Sequence, residues 1–409
     1  MTEKITYLDG LRGIAAINVM IMHFFIVLAP AMIYSNRMPS HFGNLEQFFS
    51  NTPLGLIGAG NFSVCIFFVL SGYVLTYKYF KTRDNSIIIS SAVRRYIRLF
   101  VPVFATVMLS FLLSSTGLFH YYIEAVMISG NNNYANYWTF TPNIVDAVKQ
   151  AVWGSFFAGD GTYNPVLWTM TVEFYGSMLV FAMALLFGSQ RSRWTFYLAA
   201  AVLFFNYYYL AFIIGMVLAD TFNNKTPAFK INNKIILFII LIFGLFLGSY
   251  PIGTVANNSL YGFLNNGVFQ IPKMTYHIIG AGMIMYVLLN SRWLQNVFSS
   301  PVPVFLGKIS YSLYLVHFLV ISSFTCALFL ALYPVLSYGA AVLISCASSL
   351  LLIMPFSYLF YKYIDTAGVE LSKIVYNWLV KTCIPSGAGD IKQEYLSSAI
   401  LTMYNKLFK

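Results

Sequence analysis

Four runs without a single Asp, Glu, Lys or Arg limit what this 409-residue chain can fold into. They cover residues 99–123, 194–219, 235–272 and 309–361. A hydrocarbon core about 30 Å thick is crossed by about 20 helical residues, so each run is long enough to span one. The runs are continuously apolar, without the ten-residue alternation of a membrane barrel, and therefore predict helices. Composition agrees, because 59% of residues are apolar or aromatic and only 9% are charged. A soluble chain carries about 25% charge; this one has too little to solvate an exterior. Met1–Arg12 is charged, but no short apolar stretch with a cleavage site follows it. The first hydrophobic segment is thus expected to stay as a helix rather than be removed as a signal.

Spans are predicted near 13–33, 56–77, 99–118, 165–187, 194–206, 207–220, 235–250, 274–290, 309–330 and 335–360. The doubtful stretch is 194–219, either one long helix or two short ones turning near Asn206. Charge decides in favour of two. With ten spans and a cytoplasmic N-terminus, 21 of the 24 Lys and Arg residues fall on the inside. The three outside are Arg37, Lys149 and Lys273. A single helix there would turn the later loops and the lysine tail outward, against the positive-inside rule. The expected fold is an all-α, polytopic bundle of about ten transmembrane helices with both termini cytoplasmic. Residues 1–362 form its membrane domain, and 363–409 form a basic, surface-lying cytoplasmic tail in contact with lipid. The net charge of +11 then reads as topology, and nucleic acid is not an expected partner. Cys65, Cys326, Cys346 and Cys383 lack metal-ligand spacing, so they are expected to be small buried hydrophobes and no metal is expected.

Ionisable groups at bilayer depth are costly and mark functional sites. Arg12, His23, Glu173 and His317 are the candidates. His23 follows Arg12 by eleven residues, three helical turns plus about 20°, so both project from one face with a rise of about 16 Å. That sets the arginine at the membrane edge and the imidazole near the midplane. Ser310, Tyr314 and His317 share a face by their spacing, and Glu173 is expected at a similar depth. Arg94, Arg95 and Arg98 stand just before the third span, on nearly one helical face. With Arg12 they could form an anion site for a phosphorylated cytoplasmic ligand. The segment His120–Asn164, rich in Asn, Tyr, Gly and Trp, is expected to face outward.

Five motifs in fixed order resemble the acyltransferase-3 family of membrane O-acyltransferases. Tyr7-Leu8-Asp9-Gly10-Leu11-Arg12-Gly13, with His23, is similar to that family's opening signature. Phe67-Phe68-Val69-Leu70-Ser71-Gly72-Tyr73-Val74-Leu75 resembles its second-span motif. Arg94-Arg95-Tyr96-Ile97-Arg98-Leu99 with Pro102 is similar to its basic loop. Leu167-Trp168 through Glu173-Phe174-Tyr175 resembles its Trp-to-Glu span. Gly307-Lys308-Ile309-Ser310-Tyr311-Ser312-Leu313-Tyr314-Leu315-Val316-His317 resembles its late motif. One departure is Tyr363-Ile364-Asp365-Thr366, where family members often carry Glu-Pro. Asp365 is accordingly left outside the expected site.

The resemblance implies transfer of an acyl group, acetyl above all, from cytoplasmic acyl-CoA to a hydroxyl of a saccharide or glycolipid acceptor. The protein would then be a multi-pass protein of the cytoplasmic membrane, if its source is bacterial. Some family members carry an extracytoplasmic esterase-like domain, which here would have to be a separate partner chain. In the expected site His23 is the general base, assisted by Glu173 and His317. Arg12, Arg94, Arg95 and Arg98 bind coenzyme A phosphates. Ser310, Tyr311, Tyr314 and Trp168 are the substrate or oxyanion candidates. The competing reading is a proton-coupled secondary transporter that uses the midplane His and Glu.

Overall fold

The computed structural model describes residues 5–223, 230–253, 260–265 and 271–383, and these contain helices and turns but no strand. The principal helices are α1 (Thr6–Leu28), α2 (Gly60–Thr82), α3 (Asn85–Ser115) and α4 (His120–Ile128). They continue with α5 (Trp168–Phe187), α6 (Arg193–Leu203), α7 (Tyr209–Asn223) and α8 (Lys234–Gly248). The set closes with α9 (Lys273–Asn290), α10 (Pro301–Val320), α11 (Tyr338–Phe360) and α12 (Thr366–Cys383).

Among the described residues, six helices are long and apolar enough to cross a membrane: Thr6–Leu28, Gly60–Thr82, Asn85–Ser115, Pro165–Phe187, Pro301–Leu332 and Tyr338–Leu379. Each overlaps one of the ten expected spans. The stretch 194–219 is broken, as expected, into α6 and α7 around the turn 204–208. With 11 residues, α6 rises only about 16 Å. An ionic staple joins the two helices at their far ends, away from this break. Asp220, wholly buried on α7, accepts from Arg193 Nε at 2.6 Å, Arg83 Nη2 at 3.3 Å and the Tyr197 hydroxyl at 3.3 Å. A buried carboxylate is tolerated because two guanidinium groups and a phenol pay its desolvation. Asp84 caps α3 from outside the spans, and the hydrogen bonds from Ser86 hold its carboxyl below the usual carboxylate range.

The centre of the bundle is built by close backbone approach, the usual device where lipid removes the hydrophobic drive between helices. A Cβ on Gly13 or Gly307 would collide with the facing helix, so α1 and α10 lie backbone to backbone. Gly72 of α2 likewise meets the Phe212 carbonyl of α7, and Gly215 meets the Val69 carbonyl in return. As a result α2 is the most enclosed of the six long helices. One stripe of α2 escapes burial: Phe67 and Ser71 are half-buried, while Val74 and Lys78 are exposed. These positions fall at i, i+4, i+7 and i+11, a single helical face. That face runs from the arginine-bearing end of the bundle toward its middle.

The end of α1 remote from Arg12 is covered by the segment 119–164, which contains α4 and short turns. Asn131 ties it to α1, donating from Nδ2 to the Ile26 carbonyl at 2.8 Å. Residues 363–383 continue the last long helix through a π-helical turn, Tyr361–Asp365, into α12. α12 lies along α3, with the position of a Gly368 Cβ 3.3 Å from the Arg98 carbonyl. The remainder of the expected tail, 384–409, lies outside the described residues.

Candidate active site

His23 and His317 meet ten residues, about 15 Å of helix, beyond the point where Gly13 and Gly307 bring α1 and α10 together. The pair is joined by His317 Nε2 to His23 Nδ1, 3.0 Å apart. His317 is wholly buried, and its Nδ1 is 2.8 Å from the Leu313 carbonyl one turn back. His23 Nδ1 is also 2.9 Å from the Val19 carbonyl.

These distances assign the tautomers. A carbonyl oxygen can only accept, so His317 Nδ1 carries the proton and its Nε2 offers a lone pair. His23 Nδ1 therefore faces two acceptors and must itself carry a proton. The remaining nitrogen, His23 Nε2, is left unprotonated in the neutral ring. The geometry thus produces an imidazole oriented through one nitrogen and basic at the other.

Glu173 does not reach His23, contrary to the expectation that it would orient the imidazole. Its Oε1 accepts from Arg95 in a buried ion pair and from the Ser71 hydroxyl at 2.7 Å. Arg95 Nε donates to Ser177 Oγ at 2.9 Å, one turn further along α5. The carboxylate thus serves to compensate a buried guanidinium. Ser71 was not among the expected site residues, although it stands inside the second-span motif. Its signal was a hydroxyl on the face of α2 that stays open.

The three arginines of α3 occupy three environments rather than nearly one face. Arg95 is buried against α5. Arg94 bonds back to the Ser90 carbonyl at 3.1 Å and sits over the Tyr376 ring of α12, 5.8 Å from its centroid. Arg98 is exposed, and among the described residues no hydrogen bond or ion pair holds its guanidinium. Arg12, at the same end of the bundle, pairs with Asp9 at 3.2 Å and stays about a third exposed. Asp365, left out on sequence grounds, lies within electrostatic reach of both Arg98 and Arg12. Its neighbourhood was hidden because it depends on how the last helix bends back over α3.

The remaining candidates divide. Tyr314 stands beside His317, ring centroids 6.0 Å apart, and is fixed to the start of α5 by the Val166 carbonyl at 3.0 Å and Thr169 at 2.9 Å. Phe67 of the open stripe packs against the same ring, at 6.0 Å. The Tyr311 hydroxyl donates to the Leu99 carbonyl at 3.3 Å, on the arginine side. Ser310 spends its hydroxyl on its own helix, at the Gly307 carbonyl 2.8 Å away. Trp168 is partly exposed and lies tilted against Tyr208, 5.3 Å between centroids. The structure therefore brings together His23, His317 and Tyr314 at the middle, with Arg12, Arg98, Tyr311 and the Arg95–Glu173–Ser71 set toward one end.

The all-helical apolar bundle, with its histidine pair and its arginines at one end, fits the class of integral-membrane acyltransferases. The chain belongs to the acyltransferase-3 family, whose model, described as an acyltransferase domain, matches residues 5–358. It is an acyltransferase and a membrane protein. The chain is 27% identical to the O-acetyltransferase PaAT-1 of Phomopsis amygdali, over 93% of this chain and 86% of that protein. It is 26% identical to acyltransferase R4 of a Phoma species, over 79% of this chain and 84% of the relative. Acyltransferase clz18 of Cochliobolus lunatus is 24% identical, over 78% and 83% respectively. No solved structure matches the chain.

Proposed function

We propose that this protein transfers an acyl group, acetyl in the simplest case, from acyl-CoA to a hydroxyl of a saccharide or glycolipid, with His23 Nε2 as the general base. The observation that carries the reading is the saturation of His23 Nδ1 by two acceptors, Val19 and His317. A ring held in that way keeps its basic nitrogen available at a fixed position, which is what base catalysis requires. His317 acts through His23, as a positioning residue that accepts its Nδ1 proton.

The donor approaches from the arginine-bearing end, which we place in the cytoplasm by the positive-inside rule. Arg98 and the partly exposed Arg12 receive its phosphates, since both have capacity for charge-assisted hydrogen bonds. Arg95 contributes by holding α3 to α5 through Glu173 rather than by touching phosphate, and Arg94 braces α12. The pantetheine arm runs along the open face of α2, past Val74 and Ser71, toward Phe67 and Tyr314. The acceptor oxygen attacks the thioester carbonyl while its proton passes to His23 Nε2. When the tetrahedral intermediate collapses, the C–S bond breaks and the coenzyme A sulfur leaves with that proton. The product ester and free thiol account for every atom. Ten crossings, both termini inside, complete the proposed topology.

The test separates phosphate recognition from chemistry. Arg98→Gln should weaken acyl-CoA about tenfold, the scale of one charge-assisted hydrogen bond at about 1.5 kcal/mol or more. With acyl-pantetheine, which lacks the nucleotide, the same variant should match the unaltered protein. Equal losses with both donors would assign Arg98 to insertion or folding and remove it from the donor site.

A further inference from the structure

His23 is half-buried, His317 is wholly buried, and aromatic rings pack against the pair. Phe318, next to His317, packs against His23 with centroids 4.7 Å apart and is itself almost wholly buried. Beyond it lie Trp138 at 5.7 Å, Tyr122 at 5.9 Å and Tyr137 at 6.3 Å, all from the segment 119–164. Trp138 holds a left-handed backbone with φ +57°, a conformation that a bulky residue adopts only when its surroundings impose it.

Behind this aromatic layer the polar groups do not close on one another. The hydroxyls of Tyr34 and Tyr134 meet at 2.6 Å. The Tyr122 hydroxyl lies within electrostatic reach of those of Tyr34, Tyr134 and Tyr137. Tyr122 is wholly buried, yet its hydroxyl has no hydrogen-bond partner. The same holds for Asn131 Oδ1, whose amide nitrogen is spent on the Ile26 carbonyl three residues beyond His23. A buried polar atom left unpaired keeps its full desolvation cost, which a hydroxyl-bearing occupant beside Tyr122 would offset.

We propose that Tyr34, Tyr122, Asn131, Tyr134 and Tyr137 form the acceptor subsite, separated from His23 by Phe318 acting as a gate. The inference rests on the acyl-transfer reading given above. The occupant fitted by this chemistry is neutral and hydroxyl-bearing, with an apolar face. Phenol hydroxyls donate and accept, Asn131 Oδ1 accepts, and the rings supply flat apolar surface. No ionised side chain belongs to this set, so an anionic acceptor would enter it without a counter-charge.

The experiment uses the full chain in detergent with radiolabelled acetyl-CoA, and methyl glucoside or methyl glucuronide as acceptor probes. The neutral glucoside should be acetylated in preference to the glucuronide. Tyr122→Phe and Tyr134→Phe should each raise the glucoside KM about tenfold. An unchanged KM in both variants, with Tyr122→Phe more heat-stable, would make the unpaired hydroxyl a packing defect and overturn the proposal. Preference for the glucuronide, or thioester hydrolysis without transfer to either sugar, would overturn it as well. Absence of any thioester turnover in the unaltered protein would instead sink the acyl-CoA reading on which it rests.

Discussion

His23→Ala should lower acyl transfer by about 10²–10⁴-fold, the contribution of a positioned general base, while the protein still inserts and folds. The side chain is half-buried and makes hydrogen bonds through one nitrogen alone. Its removal leaves His317 Nε2 without a donor but exposes no buried charge. Donor binding should be unaffected, because the arginines stand three turns away. The loss should therefore fall on kcat, with the KM for acyl-CoA little changed. His317→Ala should cost less, since it frees the imidazole rather than deleting it. Steady-state transfer of labelled acetyl by the two variants checks the order, and a larger loss at His317 would exchange the roles of the two rings.

The second large effect is on stability. Arg95 and Glu173 have side chains 8% and 14% exposed, so either one without the other is a nearly buried, uncompensated charge. Arg95→Gln or Glu173→Gln alone should destabilise the protein by about 3–5 kcal/mol. Replacing both at once should recover much of the loss, because no isolated charge remains. Thermal unfolding of the two single variants and the double variant in one detergent reads this coupling. Additive losses would mean that the two residues act separately and that the ion pair does not hold α3 to α5. Activity should fall in the single variants with acyl-CoA and acyl-pantetheine alike, unlike the donor-selective loss at Arg98.

How much of this was legible beforehand differs between helix and site. The helices follow from charge-free runs, because a backbone in lipid must satisfy its own hydrogen bonds and the helix does so within one segment. The break within 194–219 was legible from loop charges, which bear on topology even where the apolar run itself is continuous. Within single helices, arithmetic was a sound guide to residence: Arg12 and His23 both lie on α1.

Contacts between helices were less legible. The pairing of Glu173 with Arg95 rather than His23 depends on how α5 leans toward α3, and no spacing within either helix encodes that. The dispersal of Arg94, Arg95 and Arg98 arises in the same way, from which neighbour lies beside each 100° step of one helix. The meeting of His23 with His317 lies between these cases. Their common depth was readable, but their contact depends on the pairing of α1 with α10, two helices that Gly13 and Gly307 bring together ten residues earlier on each. Asp365 and Ser71 were passed over because one stood in a departure from the family pattern and the other carries no charge.

The central claim is that an acyl group leaves coenzyme A inside this bundle by way of His23. Purified full-length protein should be incubated with acetyl-CoA labelled in the acetyl group, with membrane glycans as acceptor, and the label followed beside the release of free thiol. The account predicts thiol release together with alkali-labile label on acceptor hydroxyls, and neither with His23→Ala. Label transferred at an undiminished rate by His23→Ala, or intact acetyl-CoA after incubation with the unaltered protein, would contradict it.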